Sequence, residues 1–188
     1  MKRIAAIAVA VFAVACAQPA PPAEPAAAPT TVHTDSLKAG YEIAKSNLVR
    51  AAEQMPEEDY GFRPAGVIEE VRTFGGIMAH AANANFLFCG MVSGEAGPGV
   101  NYEDAATTKA DITKALADSF AFCDRAFASV NDQTGAEMVR IDFFNADWTK
   151  LGVLAFNTAH GMEHYGNIVT YLRAKGMVPP SSQPGGGN

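Results

Sequence analysis

Three cysteines and one tryptophan are all that 188 residues contain of those types, and histidine occurs four times. So sparse a cysteine set excludes a small disulfide scaffold and a multi-cysteine zinc domain. Basic clusters are missing as well, and the formal charge is −6, which excludes nucleic acid as a partner. The apolar run from Ile4 to Ala15 is only twelve residues long. A membrane-spanning helix needs about 20. There is no internal repeat. No Asp or Glu occurs after His164, an absence that bears on any metal site built at that end of the chain.

What is present at the start is an export pattern. Lys2 and Arg3 precede the short apolar run, and Ala13-Val14-Ala15 fits a small-residue cleavage site, so residues 1–15 read as a signal peptide. Cys16 follows directly and resembles the lipidated cysteine of a bacterial lipobox, although Ala13 stands where a bulkier aliphatic residue is usual. Either processing route takes the mature protein to the periplasm or to a lipid anchor in the envelope, and that anchor would be its only membrane contact. Loss of Lys2 and Arg3 moves the formal charge from −6 to about −8.

Residues 16–33 are almost entirely Ala and Pro and read as a tether, with His33 as a bystander in it. Residues 183–188 read as a flexible tail. Between them, 34–182 has the size of one domain. Cys89 and Cys123 form an even pair. In an oxidising compartment this points to a disulfide, the alternative being two buried free thiols.

Four amphipathic segments predict an all-α four-helix bundle. The first runs from about Asp35 to Met55 on the stripe Tyr41, Ala44, Leu48, Ala51, and Pro56 ends it. The second starts with Thr73 as N-cap and reaches about Val92, with His80 sharing a face with Ile77, Ala84, Leu87, Phe88 and Met91. The third starts at Thr108, three residues before Asp111 in the spacing of a capping box. Residues 131–146 are ambiguous between an extended segment and a short helix. Asp147 is the expected N-cap of the last helix, which reaches about Lys175.

The last helix carries two inward stripes. Leu151, Leu154, Thr158, Met162, Tyr165, Val169 and Leu172 make one. Val153, Asn157, His160, His164, Asn167 and Tyr171 make the other, about 140° around an ideal wheel. The second stripe lacks the Lys and Glu of a solvent face and reads as the lining of an interhelical cavity. His160 and His164 are spaced i, i+4 and point the same way. His80 on another inward face makes a third ligand and leaves an open coordination position, the arrangement of a metal site that does chemistry. A lone histidine on an apolar face more often just finds a hydrogen bond; the inference rests on three together. His160-Gly161-Met162-Glu163-His164 also matches the H-x-x-E-H of inverted zinc peptidases. That template takes a downstream Glu as third ligand, and none exists here. Asn157, Asn167 and Tyr171 remain candidates to orient a substrate or the imidazoles. Glu163 reads either as a base or imidazole partner at the rim or as a solvated residue, and Arg63 as fixing its loop, with binding of an anionic group as the alternative.

Taken together, Arg72-Thr73-Phe74-Gly75-Gly76-Ile77-Met78-Ala79-His80, His160-Gly161-Met162-Glu163-His164-Tyr165-Gly166-Asn167 and the closing segment Tyr171 to Ser182 resemble the DinB-like, YfiT-like metal-binding bundles. The resemblance implies a divalent metal, zinc or nickel, on one histidine of the second helix and an H-x-x-x-H pair of the fourth. Characterised members of that group include S-transferases and isomerases dependent on cytosolic thiols such as bacillithiol or mycothiol, a setting from which an export signal separates this chain. The expected function is a metal-dependent hydrolase or transferase acting on a small molecule. The alternative is a non-catalytic envelope protein that binds metal or a ligand. Homodimerisation is compatible with such a bundle.

Overall fold

The computed structural model describes residues 28–184. Residues 1–27, including the signal-like segment and Cys16, lie outside the described residues, as do 185–188. Four long helices make an all-α bundle: α1 (Val32–Gln54), α2 (Phe74–Ser93), α4 (Lys109–Ala128) and α5 (Lys150–Ala174). A one-turn helix α3 (Tyr102–Ala105) lies in the connection between α2 and α4. An antiparallel hairpin of β1 (Met138–Ile141) and β2 (Ala146–Thr149) links α4 to α5.

The N-terminus of α1 is set from far away. Asp132, in the loop after α4, accepts hydrogen bonds from the backbone N–H of His33 (3.1 Å) and Thr34 (2.9 Å) and from the hydroxyls of Thr30 (3.0 Å) and Thr34 (2.9 Å). It therefore caps a helix whose own Thr31 makes no side-chain cap. This moves the helix start to Val32, ahead of Asp35, and places exposed His33 in the first turn rather than in the tether. A cap supplied from about a hundred residues away leaves no local sequence signal.

Helix α2 begins where its cap demands, with Thr73 accepting from the N–H of Gly76 at 3.0 Å. It ends at Gly94, whose φ of 74° is the left-handed turn that glycine adopts without strain. This helix packs against both α4 and α5, so Ile77, Ala84 and Phe88 are buried on one side and Cys89 and Val92 on the other. Leu87 lies outside the buried arc of α2 and is 48% exposed, beside the loop carrying Gly97 to Asn101, and not in the core as its period predicts. In α4, Thr108 accepts from the Asp111 N–H at 3.1 Å and donates its hydroxyl to the Asp111 carboxylate at 2.7 Å. Cys89 and Cys123 are joined by a disulfide, with Cα atoms 5.1 Å apart, which ties α2 to α4.

The ambiguous stretch resolves into the hairpin, where Arg140 pairs with Asp147 and Met138 with Thr149. Asp147 is thus a strand residue and cannot cap α5. Thr149 does so instead, accepting from the Gly152 N–H at 3.0 Å. Along α5, Leu154 and Leu172 are fully buried, and Val153, Asn157, His164 and Tyr171 are also buried, since α1 covers one face and α2 another. Met162 and Asn167, at the outer edges of the two stripes, are exposed.

Two outcomes follow from these ties. Asp132→Ala removes an N-cap, and the midpoint of thermal unfolding is expected to fall by a few degrees. Partial desolvation pushes the Asp132 carboxyl up, but its hydrogen bonds from Thr34, His33 and Thr30 outweigh that and hold it down to about 2. Its contribution is thus full above the unfolded value of about 4 and is lost as pH falls through about 2. Thermal melts of the two proteins should differ at pH 6 and converge toward pH 2. The disulfide closes a sequence separation of 34. A Cys89→Ala/Cys123→Ala double substitution is expected to lower unfolding stability by about 3–4 kcal/mol in denaturant titrations.

Candidate metal centre

Helix geometry by itself aligns the first two ligands. His160 and His164 lie one turn apart on α5, and their Nε2 atoms are 3.0 Å apart. His80 comes from α2, which lies against the same face of α5, and its Nε2 is 3.3 Å from that of His160. One ligand atom from each of the three lies within 4.8 Å of the others. Nitrogens held tetrahedrally at 2.0–2.1 Å from one ion are separated by about 3.3–3.4 Å, and the two Nε2 contacts of 3.0 and 3.3 Å are near that spacing.

Hydrogen bonding does not account for this arrangement. Glu103 Oε1 lies 2.7 Å from His80 Nδ1, and an ionised carboxylate can only accept, so Nδ1 carries the proton and Nε2 presents a lone pair. His160 Nε2 then faces the Nε2 atoms of both His80 and His164, and one N–H can point along only one of these two contacts. A cation at their centre satisfies all three at once. Burial also keeps the imidazoles in the ligating form. Desolvation, reinforced by the neighbouring histidines, lowers the pKa of His160 and takes that of His164 down to about 4. Among the described residues these three are the group of histidine, cysteine and carboxylate side chains placed to hold an ion.

The surroundings differ for each ligand. The His160 ring lies 6.3 Å from that of Phe156 and 6.1 Å from that of Phe88, centroid to centroid. Phe156 and Phe88 in turn carry Phe144 and Phe143 from the hairpin turn. His164 is the most buried of the three, and its Nδ1 has no hydrogen-bond partner among the described residues. It opens onto a cavity of about 420 Å³ walled by Pro64, Val67 and Val71 on one side and by Asn167, Thr170 and Tyr171 on the other. A groove of about 520 Å³ between α2 and the loop at Gly97 to Asn101 contains none of the three histidines.

The remaining candidates from the sequence scatter. Asn167 and Tyr171 line the cavity beside His164. The Tyr171 hydroxyl donates to the Arg72 carbonyl at 2.7 Å and so also holds the loop in front of α2. Asn157 is turned into the core, where it donates to Asn85 at 3.0 Å and lies 3.7 Å from both disulfide sulfurs; its hydrogen bonds go to no imidazole. Glu163 points outward and is exposed. Its negative charge still raises the pKa of His160 slightly against the larger opposing effects.

One residue with a direct contact is absent from the sequence candidates. Glu103 sits on α3, and besides His80 it accepts from Arg72 Nε at 2.7 Å. Desolvation pushes its carboxyl up, but the hydrogen bonds from Arg72 and His80 outweigh this and hold it below the ordinary range. One of three acidic residues (Glu95, Glu103, Asp104) in an irregular connection has no periodicity to flag it. The cue was Asn101, a good cap residue two positions earlier, which accepts from the Glu103 N–H at 3.3 Å.

The chain is thus a four-helix bundle with three converging imidazoles from two of its helices, positioned to hold a metal ion, one of them bordering an open cavity. The chain belongs to the DinB superfamily, whose family model matches residues 41–168. Among solved structures it is similar to the mycothiol-dependent maleylpyruvate isomerase, at a TM-score of 0.58 and 15% identity over 74% of this chain. A histidine-to-alanine variant of that enzyme gives 0.59 at the same identity and coverage. The match spans 63% of the isomerase's length. A conserved protein from Enterococcus faecalis is similar at a TM-score of 0.59 and 15% identity, over 77% of this chain and 97% of that one. At such identity the likeness is one of fold. No curated protein sequence matches.

The geometry predicts one divalent ion per chain. Elemental analysis of protein purified without chelators or a metal-affinity tag should find close to one equivalent. His160→Ala, which removes the imidazole shared by both short contacts, should reduce this to background while far-UV circular dichroism remains helical.

Proposed function

We propose that this chain is an exported, metal-dependent enzyme, a hydrolase or transferase acting on a small molecule, in which His80, His160 and His164 hold the divalent metal. The observation that carries this reading is the convergence of three imidazoles, two of their Nε2 contacts near the spacing of ligands on one ion, beside a cavity. All-nitrogen ligation by imidazole suits zinc or nickel. A bound divalent ion with three protein ligands lowers the pKa of a coordinated water toward neutrality, or polarises a substrate oxygen.

The chain's own residues supply the rest. The low pKa of His164 and of His160 keeps both neutral and able to ligate at pH 7. The cavity beside His164 is lined by the apolar Pro64, Val67, Val71 and Ile77 and by the charged Glu70 and Arg72. Asn167 and Thr170 offer an amide and a hydroxyl on the opposite wall, where they can orient a polar group of the substrate. Phe88 and Phe156 make the His160 side of the cluster apolar. Export rests on the signal-like residues 1–15 and on Cys16, and it sets the chain apart from relatives that use cytosolic thiols. It also favours hydrolysis, or transfer between small molecules of the envelope, over a thiol-dependent reaction.

The test is a substrate screen of the mature protein loaded with zinc or nickel, covering carboxylic and phosphate esters, amides and thiol-transfer pairs. Turnover of at least one class is expected, with a drop of at least about 100-fold on chelation or in His164→Ala. Full turnover by metal-free protein would overturn the proposal. Tight metal binding with no turnover on any class would favour the alternative of a non-catalytic binding protein.

A further inference from the structure

We infer that Glu103 is the positioning residue of the centre. It accepts a hydrogen bond from the Nδ1–H of His80 and so turns the Nε2 lone pair toward His160 and His164, while Arg72 holds Glu103 in place. The consequence for metal affinity rests on the functional reading above; the consequence for the His80 tautomer does not.

Each carboxylate oxygen has its own partner. Oε1 meets His80 Nδ1 at 2.7 Å and Oε2 meets Arg72 Nε at 2.7 Å. The carboxylate is thus anchored on one side and directional on the other, and neither oxygen is left to enter the cluster as a ligand. Arg72 is itself fixed. It directly precedes the Thr73 cap of α2, and its carbonyl accepts from the Tyr171 hydroxyl on α5.

The segment bearing Glu103 is fastened independently of the histidines. Asn83 on α2 donates to Asn101 Oδ1 at 2.6 Å and accepts from the Tyr102 N–H at 2.9 Å. Tyr102 stacks on Phe86 with centroids 5.8 Å apart. Asn83 precedes Phe86 by three residues on the same helix that carries His80. One face of α2 therefore places the histidine, the clamp for α3 and, through α3, the carboxylate that orients the histidine.

Such a partner acts on a metal ligand in two ways. It selects one of two tautomers, where a free neutral imidazole would distribute its proton between both nitrogens. It also restrains ring rotation about the Cβ–Cγ bond, so less freedom is lost when the ion binds. Outer partners of this kind are worth about 10–100-fold in metal affinity.

The experiment has a metal-free arm and a metal-binding arm. In metal-free protein labelled with ¹⁵N-histidine, the imidazole nitrogen shifts should show His80 protonated on Nδ1, and Glu103→Ala should move that proton toward Nε2. In competition titrations with zinc, Glu103→Ala should bind about 10–100-fold more weakly than the wild type. Circular dichroism and the melting midpoint of the metal-free variant should stay close to wild type. Glu103→Gln still offers His80 an acceptor but turns its NH₂ against the Arg72 guanidinium, donor against donor. Adding Arg72→Met to Glu103→Gln should therefore recover part of the lost affinity, which a merely structural role would not produce.

Protonation of His80 on Nε2 in the wild type, or undiminished zinc affinity in a folded Glu103→Ala protein, would sink the inference. If Glu103→Ala does not fold, the wild-type tautomer and the Glu103→Gln pair decide it. A wild type that takes up no zinc counts against the metal reading instead, and the tautomer measurement still decides the role of Glu103.

Discussion

The register of α2 against α5 is the constraint on which the centre depends, and a buried polar chain sets it. Asn157 on α5 donates to Asn85 on α2 at 3.0 Å, and Asn85 donates to Ser119 on α4 at 3.0 Å. Ser119 in turn donates to the Leu116 carbonyl at 2.8 Å. All three side chains are at least 95% buried. A buried amide stripped of its partner costs about 1–3 kcal/mol, so sliding either helix by one turn would be penalised at two positions together. From this link His80 lies five residues toward the start of α2, and His160 lies three residues toward the end of α5. Those displacements, about 7.5 and 4.5 Å along the axes, point the same way only because the two helices run antiparallel. The asparagine chain and the histidine cluster are two readings of one alignment.

The disulfide fixes the same layer from its other side. Cys89 and Cys123 join α2 to α4 one turn beyond Asn85 and Ser119, and the Asn157 amide lies 3.7 Å from both sulfurs. Three of the four long helices are therefore tied at one level, with apolar packing above and below: Phe120 and Phe127 on α4 against Tyr41 of α1, with Tyr41 stacked on Phe127 at 4.3 Å. Apolar packing alone tolerates sliding, because one aliphatic contact is much like the next. Directional bonds and a covalent link do not, and they sit next to the part of the bundle where a shift of an ångström would separate the ligands.

The sequence made legible whatever depends on local spacing. Thr73 and Thr108 cap the helices they introduce, the stripes of α1 and α4 face inward, and the i, i+4 pair on α5 is a matter of helix period alone. What it hid depends on residues distant in the chain. Asp132 caps α1 across about a hundred positions, which is why the helix start and His33 were misplaced. Asp147 has the composition of a cap, but strand pairing with Arg140 claimed it and passed the role to Thr149. Leu87 has the period of a core residue, yet the arc of α2 that α4 and α5 cover stops short of it and leaves it on the outer face. Asn157 has the period of a cavity-lining residue and instead joins the core. Glu103 combined both difficulties, since neither its spacing nor its segment was regular.

The same distinction explains where extra anchoring falls within the centre. The relation of His160 to His164 is inherent in one helix; any folded α5 presents that pair nearly correctly. The position of His80 is only as good as the packing of two helices, because it must meet the pair across an interface. An ion bound by three imidazoles is sensitive to the least well placed of them. The carboxylate partner is found on that one: Glu103 and Arg72 restrain His80, while the described residues give His164 Nδ1 no partner at all. Polar restraint has been added where secondary structure could not supply precision, and omitted where it could.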